Sequence, residues 1–97
     1  MTIPLTLCVI LRVPPAGAEA FQVYESKVLP LLTDHGGVLE RRLRVADGTT
    51  EIHVIRFPSP DRFAAYRADP RRAAHADLFA ASGAVAEVLT VHDVEDG

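Results

Sequence analysis

The chain has 97 residues, 48% of them hydrophobic, with thirteen acids against ten bases for a formal charge of −3. That length suits one domain with one core and excludes a separate substrate domain. The absence of a basic stripe argues against nucleic acid as a partner, and one cysteine, Cys8, excludes an internal disulfide and any CxxC redox or zinc pair.

The opening run alternates Ile3, Leu5, Leu7, Val9, Leu11 and Val13 with Thr6, Cys8 and Arg12, which predicts a strand over 3–13 that ends at Pro14-Pro15. It has no positive n-region and carries Pro4 early, so it is not read as a signal peptide. No run is long enough to span a bilayer, and the expected location is the cytoplasm. From 18 to 35, Phe21, Tyr24, Val28, Leu31, Leu32 and His35 form one helical stripe, with Glu19 and Glu25 placed early, where acids suit the dipole. Pro30 should kink this helix and Gly36 should cap it.

"GVLERRLRVADGTTEIHVIRF" predicts a hairpin of strands 38–45 and 51–57 around Asp47-Gly48. Ser59-Pro60-Asp61 is a helix start, with a capping hydroxyl before a proline. Asp69-Pro70 breaks that helix, a second piece runs to Ser82, and "RADPRR" reads as a solvated turn. "VAEVLTVHDV" supplies the last strand. The order β-α-β-β-α-β predicts an α+β, ferredoxin-like domain over 1–97: a four-stranded antiparallel sheet with two helices on one face and nothing on the other.

On the uncovered face, even positions of the first strand place Thr6, Cys8, Ile10 and Arg12, and the third strand adds Ile52, Val54 and Arg56. Pairing Leu39 with Phe57 would set Glu40 opposite Arg56 and Arg42 opposite Val54, with Arg44 nearby. A strict two-residue Asp-Gly turn would shift that pairing by one and turn Arg56 to the helices. Leu89 and Val91 are assigned to the helix side of the last strand, leaving Val88, Thr90, His92 and Val94 on the open face. Such a face, part apolar and part charged, marks an interface or a ligand groove.

The strand order, "VLPLLTDHGG" closing the first helix and "RFPSPDRFAAYRADP" leaving the third strand resemble the dimeric α/β-barrel superfamily. Within it, the chain is most similar to NIPSNAP-like and antibiotic-biosynthesis-monooxygenase-like members. The resemblance implies a homodimer whose sheets close into a barrel, with a pocket near each open face. Relatives include cofactor-free monooxygenases acting on polyketides, isomerases and haem proteins. The chain has no Trp and no Asn, residues that those monooxygenases use on substrate and oxygen. The haem-degrading pattern fails in the same way, with His75 alone.

The candidate ligand-binding residues are therefore Arg56, Arg42, Glu40, Thr6, Cys8 and Thr90, with Arg56 offering a bidentate fork to a carbonyl or carboxylate. His92 is the candidate general acid/base because histidine titrates near neutrality. Against this stand a cross-strand Arg56–Glu40 ion pair that only decorates the sheet and a surface role for His92. No cofactor and no metal are expected, since no two histidines share ligand spacing. Two functions remain open: a cofactor-independent enzyme on a small organic molecule bearing a carbonyl or carboxylate, or a non-catalytic ligand-binding or accessory protein whose open face serves only to dimerise.

Overall fold

The computed structural model describes residues 3–94. Strands β1 (Leu5–Arg12), β2 (Val38–Arg44), β3 (Thr50–Phe57) and β4 (Val85–Val91) form one sheet in the order β2-β3-β1-β4, and every neighbouring pair is antiparallel. Helices α1 (Ala18–Val28), α2 (Pro60–Arg67), α3 (Pro70–Ala73) and α4 (Ala76–Ser82) lie on one side of it. The ferredoxin-like architecture expected from the strand and helix order is the one observed.

Helix α1 stops at Val28, and Leu29–His35 continues as 3-10 turns with Pro30 in its first turn. Pro30 has no N–H for an α-helical bond, so the expected kink becomes a tightened helix. Gly36 closes it in the left-handed conformation, φ 72°. The Ser59 hydroxyl accepts from the Arg62 amide at 3.3 Å, the cap expected there, and Asp69 caps α3 by accepting from the Arg71 amide at 2.8 Å. The second helical piece divides at Ala74-His75 into α3 and α4.

Leu7, Ile55, Phe57, Leu32 and Tyr66 form one buried cluster, and Leu11, Val13 and Phe21 another. Odd positions of β1 and β3 thus meet the helices. Thr6, paired with Arg56, Cys8 with Val54 and Ile10 with Ile52 lie on the face without helices.

Two expected facings are corrected by the register. In β2, Leu39 pairs with Ile55 and a β-bulge follows, so that Arg41 pairs with Val54, Arg42 with His53 and Arg44 with Glu51. The extra residue is Glu40, so Glu40 does not oppose Arg56, whose partner is Val38. Arg42 and Arg44 turn to the helix side, and Arg41 and Leu43 take the open side. Glu51, 2% exposed, supplies the reason: a buried carboxylate needs counter-charges. It accepts from Arg42 Nε at 2.8 Å, Arg44 Nη2 at 2.6 Å and Gln22 Nε2 at 2.8 Å, and His53 Nε2 lies 2.9 Å away.

In β4, Thr90 pairs with Leu7 and Val88 with Val9, which places Thr90 and Val88 on the helix side and Leu89 and Val91 on the open side. This reverses the expected assignment of Thr90. The helices barely reach β4, so its more apolar set is free to occupy the unroofed face.

Gly17 opens α1 where the end of α4 crosses it. A Cβ there would stand 1.7 Å from the Ser82 carbonyl oxygen. Gly17→Ala is expected to force the two helices apart at a cost of about 2–3 kcal/mol, read as a thermal midpoint lower by about 10 °C or more.

Candidate active site

Between the helix layer and the sheet lies a cavity of about 280 Å³. Its floor is apolar: Leu7, Val9, Ile55 and Phe57 from the sheet, with Val28, Phe63 and Phe79 above. Five polar side chains border it from the helices, Tyr24 and Glu25 from α1, Tyr66 and Arg67 from α2 and Arg72 from α3, and His53 joins from β3.

Glu25 is 3% exposed. It shares the buried stripe of α1 with Phe21, Tyr24 and Val28, at the i, i+4 spacing that carries a helix face inward. Burial pushes its carboxyl up to about 7, with the Arg42 guanidinium partly opposing the shift, Glu51 adding to it and Arg72 opposing it less. No hydrogen bond to the carboxyl contributes. It therefore exchanges a proton near neutral pH inside an apolar chamber, as a general base requires.

Arg72 stands beside it. Its Nη2 donates to the Tyr24 hydroxyl at 3.2 Å, and its guanidinium lies 4.5 Å from the centroid of the Tyr66 ring. Its Nε is buried with no hydrogen-bond partner among the described residues, an unmet donor of the kind that folded proteins seldom leave. The Tyr66 hydroxyl donates to the Val28 carbonyl at 3.3 Å, and burial pushes its phenol up to about 12, so it stays protonated.

His53 and Glu51 sit behind the cavity. Burial holds the imidazole below its usual value despite the Glu51 hydrogen bond, so the ring is neutral and Nε2–H donates to the carboxylate. Burial alone would raise Glu51, but the hydrogen bonds from Arg42, His53, Gln22 and Arg44 outweigh it and hold the acid well below the carboxylate range.

The residues singled out from sequence lie elsewhere. Thr6, Cys8 and Arg56 are on the open face, and Arg56 borders a separate shallow recess with Pro4, Gly36, Val38 and Pro58. Glu40 is exposed in the bulge, Arg42 is committed to Glu51, and Thr90 is on the helix side of β4. His92 lies exposed beyond β4, its Nδ1 3.0 Å from the Asp93 carbonyl oxygen. The open face thus gathers Thr6, Cys8 and Arg56 but not the whole expected set. Among the described residues no group of three His, Cys, Asp or Glu side chains is placed to hold a metal, and no helix is long and apolar enough to cross a membrane.

Glu25 was legible as a charged residue on an apolar stripe, one position after Tyr24. Reading it only as a dipole partner missed this. Arg72 had no such mark.

No protein-family model matches the chain, and no curated protein matches it in sequence. Solved structures do. SnoaB from Streptomyces nogalater, a cofactor-independent oxygenase, superposes with a TM-score of 0.73 at 20% identity, over 97% of this chain and 98% of that one. A candidate antibiotic biosynthesis monooxygenase from Nitrosomonas europaea gives 0.79 at 14% identity, over 99% and 95%. Rv0793 from Mycobacterium tuberculosis gives 0.68 at 18%, over 98% and 100%. The chain shares its ferredoxin-like fold with these structures. Identities this low carry the ferredoxin-like architecture and leave the chemistry to the chain's own residues.

Proposed function

We propose that this protein is a cofactor-independent oxygenase, working in the cavity between helices and sheet on a small, partly aromatic molecule with a C–H acidified by a neighbouring carbonyl or phenol. The observation that carries this reading is Glu25, a buried carboxyl with its titration raised to about 7, beside the unmet Nε donor of Arg72. The similarity in fold to a cofactor-independent oxygenase supports it. The acid/base role assigned to His92 from sequence passes to Glu25, and the anchoring role of Arg56 passes to Arg72.

The Glu25 carboxylate removes a proton from the acidified carbon. Arg72 holds the oxygen on which the negative charge collects, and the Tyr24 hydroxyl, which accepts from Arg72, retains its own proton for the same oxygen. The electron-rich carbanion passes one electron to dioxygen, and the resulting radical pair combines into a peroxide. Protonated Glu25 returns its proton to the peroxide, and loss of water turns the CH2 carbon into a carbonyl. Substrate plus O2 yields ketone plus H2O, and the substrate supplies the electrons. The test is oxygen uptake with a panel of hydroxyaromatics and 1,3-diketones. Uptake that survives Glu25→Gln unchanged overturns the assignment.

The homodimer is proposed on separate grounds. Ile10, Leu43, Ile52, Val54, Leu89 and Val91 share the face without helices, and Leu43, Leu89 and Val91 are exposed. An apolar patch of this extent marks an interface, and an identical sheet is its natural cover. Light scattering is expected to give twice the chain's 10.5 kDa, and Ile52→Asp with Leu89→Asp should return the single-chain mass.

A further inference from the structure

The mouth of the cavity opens into a groove of about 240 Å³ lined by Tyr24, Arg67, Arg72, Ala73, Ala76 and Phe79. Tyr24, Arg67, Arg72 and Phe79 line both spaces, so cavity and groove are continuous. Two guanidiniums stand at that junction. The chain has more acids than bases, and Arg12, Arg42, Arg44 and Arg71 all lie in ion pairs. Arg67 and Arg72 form none among the described residues. Arg67 lies over the Phe63 ring at 5.5 Å and Arg72 over the Tyr66 ring at 4.5 Å. Each lies against an aromatic face. Arg67 makes no side-chain hydrogen bond among the described residues, and Arg72, with one Nη2 proton given to the Tyr24 hydroxyl, keeps other N–H groups free, its buried Nε–H among them, an arrangement suited to a planar anion.

We infer that the ligand of this cavity carries a carboxylate, received at the mouth between Arg67 and Arg72, with its apolar ring system directed inward along Phe63, Phe57 and Val28. The inference rests on the proposed function only in taking the same cavity as the substrate site; it adds the charge and orientation of what enters. The apolar floor of Leu7, Val9, Ile55 and Phe57 lies inward and both guanidiniums stand where cavity and groove meet, so the ring system points inward and the carboxylate outward.

The probes are 1-naphthoate and its neutral analogue 1-naphthamide, titrated by calorimetry, with backbone amide shifts to show where each binds. Naphthoate should bind about tenfold or more tightly than naphthamide, the worth of a charge-assisted pair, with shifts centred on α1, α2 and α3. The preference should shrink at high ionic strength, fall in Arg67→Gln and Arg72→Gln and return in Arg67→Lys. Equal affinities, shifts confined to the open sheet face, no binding of either probe, or a preference unchanged in the double glutamine variant would each overturn the inference. Glu25→Gln separates the two readings. It should leave the naphthoate preference intact, so a chain that prefers the anion but shows no Glu25-dependent oxygen uptake retains this inference and loses the oxygenase.

Discussion

Glu25→Gln should lower turnover by about 10³-fold, within the range general-base catalysis contributes, while making the folded protein more stable above neutral pH by about 3 kcal/mol. The two effects have one cause. The folded carboxyl titrates near 7 against 4.5 in the unfolded chain. Below pH 4.5 both states hold the proton and stability is full. As pH rises toward 7, the unfolded chain releases a proton that the fold retains, and stability falls. Above 7 the deprotonated carboxylate carries the whole penalty. Glutamine has the same shape and no charge to bury, so the difference in unfolding free energy between variant and parent should be small in acid, grow through pH 4.5–7 and then level off. Other groups titrate as well. His53 is held below 6.5 and so costs stability as pH falls, and Glu51 and Asp69, both held low, lose theirs in stronger acid. Because parent and variant share these groups, the difference curve isolates Glu25. Denaturant unfolding across pH checks it, and a flat difference would show that the carboxyl is not buried as described.

The second large effect belongs to Glu51. Glu51→Ala should destabilise the fold by about 1–3 kcal/mol, the cost of leaving the buried His53 Nε2–H without its acceptor. The Gln22 amide would lose an acceptor too, while the partly exposed Arg42 and Arg44 guanidiniums can turn to water. Unlike Glu25→Gln, this variant should lose stability most at neutral and higher pH, where the carboxylate is ionised. Below the unfolded carboxyl's 4.5 the unfolded chain takes up a proton that the folded Glu51, held low, still refuses, so the parent's advantage declines and the gap narrows. A variant that unfolds at the parent's denaturant midpoint at pH 8 would show that the cluster contributes nothing net.

The contrast between these two acids explains what could be read from the chain and what could not. The facing of β1 and β3 followed from clean alternation, since Leu7, Leu11, Ile55 and Phe57 leave one parity only. The helix starts at Ser59 and Asp69 followed from local capping chemistry. The bulge after Leu39 did not, because it answers to Glu51, a residue on another strand whose burial no window of β2 reveals. Strand β4 misled for a related reason. "VAEVLTV" is apolar at both parities, and the assumption that its largest residues seek the helices fails where the helices do not reach. The charges that stand out in the sequence alternate onto the unroofed sheet, whereas the cavity on the other side is lined from the helices. Glu25, whose carboxyl burial pushes up, and Arg72, whose buried Nε lacks a partner, sit on helical segments that read as a dipole partner and a solvated turn.

Strand β4 is an edge of the sheet, and Ala86 and Val88 on it line the cavity although Val88 is 46% exposed. One wall of the chamber is therefore a side that open water also touches. Anything that lies along that margin, whether the ligand's own bulk or a neighbouring subunit reaching round, would seal the chamber and dry it. Affinity for the ligand and tendency to associate would then rise together, and dilution alone would weaken both.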